Sequence, residues 1–544
     1  MTGTKLSELV SCVPFSESET IPLDNLTDCQ AQALEVLDHL LTEEAKIGIL
    51  KGYAGTGKTY LSALMIRHLQ EQGWNVEVMT PTGRAAKVLS LAMKDLGTDI
   101  QPRTIHSAIY SIHPQDFSKG QASLFADTSE GDFFGPTFII IDESSMVGDR
   151  KTERKEEGLH FGSGSLLHDI LEYANLGNEP HNRILFIGDP GQLPPVMGDE
   201  RSPALNGFDI DAALPSPTTA GPIISAELLT IVRQEQGSLR EFVTDIRSAM
   251  RSGAPLPRNA RKDARPLLPE KLVPTYLHLT RESGSPHSTM VLAHRNRDVI
   301  QYNLDLRKAL RPNAQNAVEE GDILLVRRNV RLRDNGELDI SSMQEDLKNG
   351  TFVRVCGPVV ALPSKTVSIH GKAEVTLRFV RCPLEFLSNS NPQPIEVVLV
   401  TNMLERDYWQ DYKRNYHHLE VGILTDFKHR MLAKYGWAAP TPKDTHYAEF
   451  SREAKADKWL NALRVCYGYA VTVHNAQGGE WDNVIIDPDN PARDWEGEQY
   501  QSQYKRWVYT ASTRAKKRLW FIKRSVLSDA VPVDLPLDAD DTSA

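Results

Sequence analysis

Hydrophobic and polar positions in the first third of the chain alternate between two periods. Short apolar runs at 47–50, 76–79, 138–141 and 184–187 are continuous rather than alternating, as strands covered on both faces are. Between them, 60–70 and 84–94 repeat apolar residues at three- and four-residue spacing, which predicts helices with one buried face. From Leu26 to about Ile187 this rhythm predicts βαβ units around a parallel sheet. It breaks between Ser107 and Pro136, a polar segment with Phe117, Phe125, Phe133 and Phe134 that is too long for a simple connector. Residues 200–223 and 252–270, rich in Pro, Ala and Gly, predict loops.

A second α/β rhythm begins at Thr289–Ala293 with a helix over 296–310. It resumes at Gly468–Thr472 and continues through 484–486, 502–515 and Leu519–Ile522. Period-two alternation at 322–326, 351–355, 375–380 and 396–400 predicts a small antiparallel β-barrel between the two halves, followed by a charged, aromatic helical part over 405–434. The chain thus reads as an extension (1–22), a first α/β domain (23–280, with 107–136 inserted) and a second (281–319 and 460–527) interrupted by 320–459. The acidic residues 528–544 have the composition of a disordered tail.

Composition changes this picture little. The 544 residues suffice for several cores, and no apolar run is long enough to span a bilayer. The polar N-terminus is unlike a secretory signal, and Cys12, Cys29, Cys356, Cys382 and Cys466 are scattered without a C-x-x-C pair. These features predict an intracellular, cytoplasmic protein in a reducing compartment, away from membranes, with neither a disulfide framework nor a zinc site. A net charge of −11 coexists with basic clusters at 327–333 and 514–518, so charge alone leaves nucleic-acid binding undecided.

Candidate chemistry is more decisive. Gly52-Tyr-Ala-Gly55-Thr-Gly57-Lys58-Thr59 lies between an apolar strand and the amphipathic run that starts at Tyr60. Glycines let successive N–H groups curl around a polyphosphate at the positive end of a helix, Lys58 reaches the terminal phosphates, and the Thr59 hydroxyl ligates Mg²⁺. A second buried strand delivers Asp142 and Glu143 at its carboxyl end, suited to holding Mg²⁺ and to orienting or deprotonating the attacking water. A third ends in Gly188-Asp-Pro-Gly-Gln192, whose amide is suited to sensing the γ-phosphate.

These segments resemble motifs I, II and III of superfamily-one helicases. Leu26–Ala33, with Gln30, is similar to the Q motif, and Thr80–Lys87 and Arg103–Ser107 to motifs Ia and Ic. Leu229–Gln234 is similar to motif IV, Tyr469–Glu480 to motif V and Val508–Ala515 to motif VI. The order runs from 26 to 522, and the wording D-E-S-S-M, G-D-P-G-Q-L-P-P-V and T-V-H-N-A-Q-G is closest to the RecD/Dda-like group, superfamily 1B. Asn475 and Gly479 depart from that group, where Lys and Ser are common.

The resemblance implies two RecA-like parallel-sheet motor domains, an SH3-like β insertion in the second and a strand-splitting wedge over 107–136 in the first. It implies ATP and Mg²⁺ as cofactors, with Gln30 reading adenine and Gly52, Gly55, Gly57, Lys58, Thr59, Tyr60 and Glu480 lining the nucleotide. Lys58, Glu143 and Gln192 would be catalytic, with Arg233 and Arg514 as arginine fingers and Thr59 and Asp142 holding the metal. Thr82, Arg103, His106, Thr472 and His474 would grip a single strand, with Phe117 a candidate for the wedge. The implied activity is a monomeric 5′-to-3′ DNA helicase on single-stranded and forked DNA, with single-strand-binding, replication or repair proteins as partners. A nucleoprotein-remodelling ATPase without unwinding, or an RNA helicase, is the competing reading, since phosphate contacts are nearly blind to the sugar.

Overall fold

The computed structural model describes residues 26–522 except 43–44, 96, 99, 113–122, 129–134, 151–157, 196–200, 216–220, 233–236, 258–260, 286, 328–348, 370–372, 388–393, 437–445 and 490–497. The chain divides after Gln234 into two compact units.

The first unit runs α1 (Asp28–Leu37), β1 (Ile47–Gly52), α2 (Lys58–Glu71), β2 (Asn75–Thr80), α3 (Gly83–Asp95), β3 (Arg103–Thr104), α4 (Ile105–Ile109), β4 (Tyr110–Ile112) and β5 (Ser123–Thr128). It continues with β6 (Thr137–Ile141), β7 (Gly158–Phe161), α5 (Leu166–Ala174), β8 (Arg183–Gly188), α6 (Gly207–Ala213) and β9 (Ile223–Leu228). Six strands form one sheet in the order β3-β2-β6-β8-β1-β9, every neighbouring pair parallel. Alternation along the strands splits the core into two layers. Leu50, Leu185 and Ile187 pack with Leu34, Leu61 and Met65 on one face, while Ile49, Ile184 and Phe186 pack with Ile105, Ile170 and Leu171 on the other.

The segment 107–136 contributes β4 and β5, an antiparallel pair, and β7 joins β5 in parallel to make a three-stranded sheet that the sequence pattern did not foresee. Its root is held by a buried carboxylate: Tyr110 Oη donates to Asp169 Oδ2 at 2.5 Å, and the Ser163 N–H donates to Asp169 Oδ1 at 3.0 Å. Phe117, Phe133 and Phe134 lie outside the described residues.

The second unit begins with α7 (Ser238–Ser252), β10 (Ala264–Leu267), α8 (Leu272–Ser283), β11 (Thr289–Ala293), α9 (Asn296–Leu310) and β12 (Ile323–Val326). The β-rich insertion adds β13 (Phe352–Val355), β14 (Val360–Ala361), β15 (Lys365–Ile369), β16 (Ala373–Leu377), β17 (Phe379–Phe386), β18 (Ile395–Val400), α10 (Tyr412–Tyr435) and α11 (Tyr447–Ala456). The unit closes with β19 (Leu463–Tyr467), β20 (Ala470–Thr472), α12 (Val473–Ala476), β21 (Trp481–Ile486), α13 (Glu498–Ser512) and β22 (Ala515–Ile522). Its parallel sheet has the order β10-β22-β21-β11-β20.

Two expected boundaries need correction. The first domain does not extend to 280: β10 pairs in parallel with β22 at the edge of the second sheet, so the chain changes unit after Gln234. The Pro, Ala and Gly richness of 252–270 predicts a loop there, yet an edge strand tolerates a proline such as Pro266. Nor does the β insertion end at 459. The pairings β13–β12, β12–β19, β19–β18, β18–β17 and β17–β13 close a barrel whose fifth wall is Leu463–Tyr467. Barrel and parallel sheet are joined at Asp322, a fully buried carboxylate that accepts from Arg307 Nε (3.1 Å), Tyr469 Oη (3.0 Å) and the Glu319 N–H (2.9 Å). The fold is thus two RecA-like parallel sheets, the second carrying an SH3-like barrel. No described helix is long and apolar enough to cross a membrane.

Candidate nucleotide and strand sites

The phosphate loop leaves the carboxyl end of β1, a central strand, and turns into α2 through two glycines at positive φ, Gly55 (78°) and Gly57 (84°). A side chain at Gly57 would also meet Gln30 Nε2 at 2.5 Å, so glycine is required there by both space and conformation. Lys58 Nζ donates to the carbonyls of Gly52 (2.7 Å) and Tyr53 (3.1 Å), lying along the inside of the loop. Tyr60 stands on the first turn of α2, where burial raises its phenol pKa.

Asp142 follows β6 and Glu143 adopts a left-handed conformation (φ 55°), turning the chain sharply. Burial, and then the neighbouring Glu143 charge, push the Asp142 carboxyl up to about 7, against the opposing pull of the Glu143 N–H and of Lys58. Glu143 Oε2 is buried with no hydrogen-bond partner among the described residues. Gly188 brings motif III alongside: a Cβ there would meet the Ser145 nitrogen at 2.9 Å. Asp189 Oδ1 then accepts from the Gly191 N–H (2.8 Å), setting the turn that buries Gln192.

The buried Asp142 carboxylate, the unpartnered Glu143 Oε2 next to it in sequence and the half-buried Thr59 hydroxyl at the start of α2 are all hard oxygen donors, the kind that suits Mg²⁺. No cluster of three or more His, Cys, Asp or Glu side chains that could hold a metal occurs among the described residues.

Gln30 has a different environment from the one its motif predicts. It is the third residue of a capping box: its Oε1 accepts from the Thr27 N–H (2.9 Å), while its own N–H donates to Thr27 Oγ1 (3.3 Å). Its Nε2 donates to the Thr56 carbonyl inside the phosphate loop (3.2 Å). Arg233 lies outside the described residues, but the preceding Val232 N–H donates to the Gly55 carbonyl at 2.7 Å. Motif IV therefore reaches the phosphate loop within the first unit.

Arg514 is buried, with its guanidinium donating to Thr510 O (3.1 Å), Gly479 O (3.2 Å) and Thr513 Oγ1 (3.0 Å). It clasps motif VI to motif V. Glu480, next in line, pairs with Lys516 at 3.8 Å.

The strand-binding candidates occupy matching positions in the two sheets. In the first, Thr104 ends edge strand β3 and its hydroxyl accepts from the Ser107 N–H (3.3 Å), opening the short helix that carries His106. In the second, Thr472 ends edge strand β20 and accepts from the Asn475 N–H (3.3 Å), opening the helix that carries His474. His106 packs against Tyr110, with ring centroids 5.5 Å apart. Burial, then the nearby His294, lowers the His474 pKa to about 4. Thr82 caps α3 by accepting from the Ala85 N–H (3.2 Å), and Arg103 pairs with Glu77 at 3.4 Å.

Sequence reasoning missed His294, Arg295 and Asn296, which follow β11 beside motif V. Arg295 pairs with Asp489 (3.4 Å), and the His294 ring lies 6.2 Å from that of Trp507. Their place at the carboxyl end of a parallel strand was the available signal.

Fold and site together give a phosphate loop of the nucleotide-binding kind on the first of two parallel sheets. An AAA domain model matches residues 25–157, and a UvrD-like helicase C-terminal domain model matches 467–522. The chain is 28% identical over 227 residues to the ATP-dependent DNA helicase dda of Enterobacteria phage T4, covering 41% of this chain and 43% of that protein. It is 28% identical over 183 residues to an uncharacterized protein of Acanthamoeba polyphaga mimivirus, covering 31% of this chain and 33% of that one. These matches span less than half the length of either curated relative. Among solved structures, Pif1 helicase from Candida albicans is similar at 16% identity and TM-score 0.43, covering 92% of this chain and 95% of that one. Pif1 helicase from Bacteroides with ADP-AlF3 and ssDNA is similar at 14% identity and TM-score 0.41, covering 94% and 95%. In its ordered motifs and these two domain matches, the chain is similar to helicases of superfamily 1B.

Proposed function

We propose that the chain is an ATP-dependent DNA helicase that moves 5′ to 3′ along a single strand and opens duplex ahead of it. The observation that carries this reading is the duplicated device of Thr104–His106 and Thr472–His474. A switch needs one grip on its partner, whereas a stepping motor needs two that alternate. Each grip here is a hydroxyl-capped helix start with a histidine on it, at the edge strand of a parallel sheet.

In the nucleotide site, the loop N–H groups and Lys58 bind the phosphates and hold them in line. Glu143, whose buried Oε2 lacks a partner among the described residues, takes the proton of the attacking water or orients that water. Thr59 and Asp142 would hold Mg²⁺, which supplies neutralisation of phosphate charge. Gln192 follows the γ-phosphate position, Arg233 and Arg514 act as arginine fingers, and Gly52, Tyr60 and Glu480 line the nucleotide. On the strand, Thr82, Arg103, His106, Thr472 and His474 contact phosphates.

The β4–β5–β7 sheet, held by Tyr110 and Asp169, is the proposed wedge. ATP turnover measured with and without single-stranded DNA or RNA, alongside displacement of a labelled strand from a forked duplex, tests the reading. DNA-stimulated turnover with displacement is expected. Stimulation without displacement would favour the remodelling reading, and preference for RNA strands the RNA helicase.

A further inference from the structure

A slot within the second unit is not used by the function described so far. It lies where the amino-terminal half of α9 faces barrel strand β12 and the turn leading into α10, and it opens beside α12 of motif V. It is a partly open slot whose walls are set by these elements. Ile300 and Leu325 form apolar walls, while Trp409, Arg327, Asn296 and Asn475 supply the rest of the chemistry.

Each of these four side chains is arranged as if for a ligand. Trp409 is fixed in place, since its Nε1 donates to the Met403 carbonyl (2.7 Å) and its ring stacks on Tyr412 at 4.9 Å and 6°. It therefore presents aromatic surface to the slot at little further entropic cost. The Arg327 guanidinium makes no hydrogen bond or ion pair among the described residues, although most neighbouring cations are paired, Arg307 with Asp322 and Arg464 with Glu420 among them. The carboxamides of Asn296 and Asn475 are likewise without side-chain partners among the described residues, and both residues are exposed. Packing explains the apolar walls; it does not explain a half-buried cation left unpaired at the opening, beside two exposed amides that offer donors and acceptors there.

We infer that this slot is a nucleotide subsite, in which one base of the bound strand stacks on Trp409, its edge meets the Asn296 and Asn475 amides, and Arg327 meets an adjacent phosphate. The inference rests on the strand-binding reading and deepens it. Asn475 immediately follows His474, so a strand gripped at motif V passes the mouth of the slot. A planar aromatic wall, a free cation and amides form the usual set for single-stranded nucleic acid. The barrel thereby becomes part of the strand path rather than an appendage of the motor, because Arg327 and Trp409 both belong to the insertion.

The test is an abasic scan on the full chain. A thymidine oligonucleotide of about 16 nucleotides carries one abasic site, moved stepwise along it, and affinity is measured at each position. For the wild type, one position should weaken binding by about tenfold, the order of one base–aromatic stack. That position-specific loss should vanish in Trp409→Ala and return in Trp409→Phe, which also controls for folding. Arg327→Ala should reduce the slope of log K against log salt by about 0.7, one phosphate contact. A scan with the same profile in wild type and Trp409→Ala, or an unchanged salt slope in Arg327→Ala, would overturn the subsite. If the wild type binds no oligonucleotide at all, the strand-binding reading itself fails, an outcome distinct from a flat scan.

Discussion

Gln30 Nε2 donates to the Thr56 carbonyl at 3.2 Å, tying the start of α1 to the phosphate loop across 26 residues of sequence. The other end of the same amide is taken by the Thr27 N–H. A reader of adenine needs both ends free for the base edge, whereas a brace for the loop uses them as found here. Gln30→Ala is therefore expected to lower affinity and turnover several-fold for ATP and GTP alike, on the order of 1 kcal/mol for a lost buried hydrogen bond. Parallel kinetics on the two nucleotides check this. A collapse of the ATP-over-GTP preference would instead restore the base-reading role implied by the motif.

Lys58→Ala should abolish hydrolysis while leaving single-strand affinity within about twofold, because the ammonium lies against Gly52 and Tyr53 carbonyls inside the loop. Turnover and strand affinity measured on the same preparation decide the matter. Appreciable residual turnover would remove Lys58 from the catalytic set.

Arg514 predicts a mixed phenotype. Its three hydrogen bonds hold motif VI to motif V, so Arg514→Ala strands the Gly479 and Thr510 carbonyls and should cost about 1–3 kcal/mol of stability in addition to lost turnover. Thermal unfolding of the nucleotide-free protein reads the first effect and steady-state kinetics the second. A variant with an unchanged melting temperature and a large fall in kcat would mean that the arginine acts purely on the transition state.

His474 sets a pH window. Its pKa is about 4 in the fold, below the ordinary histidine value near 6.5, so the unfolded chain takes the proton first. Stability is full above about 6.5 and falls as pH drops towards 4. His294 shifts in the same direction through burial and Arg295, offset by Asp298 and Asp489. His474→Gln should flatten part of that fall in a series of thermal melts. A wild-type melting temperature that stays level from pH 6.5 to 4.5 would show that neither imidazole is held neutral.

Direction of travel is exposed to a simple measurement. Duplexes with a 5′ single-stranded overhang should be opened in preference to those with a 3′ overhang, at low salt and limiting protein. The salt condition matters because each phosphate contact adds about −0.7 to the slope of log affinity against log salt. Preference for the 3′ tail would remove the polarity while leaving the nucleotide site as described.

The sequence by itself determined the parts of this protein whose physics is local. Continuous apolar runs marked the inner strands β1, β6 and β8, because a strand covered on both faces has no polar side. Glycine spacing marked the phosphate loop, because only glycine takes the positive φ seen at 55 and 57. The helix 296–310 was legible to the residue. What only the tertiary structure decided are choices between distant partners. The short, Pro-containing strand Ala264–Leu267 could have ended the first sheet; pairing with Leu519–Ile522 placed it in the second. Leu463–Tyr467 closes the barrel rather than leading back to the parallel sheet, and Gly158–Phe161 extends the hairpin at Tyr110. Edge and closing strands carry weak patterns, since one face or one edge lies open, and strand pairing is set by long-range geometry. The same holds for Gln30, Arg514 and the four side chains around the slot. A motif names the residue, but its hydrogen-bond partners come from chain segments that only folding brings within 3 Å or so.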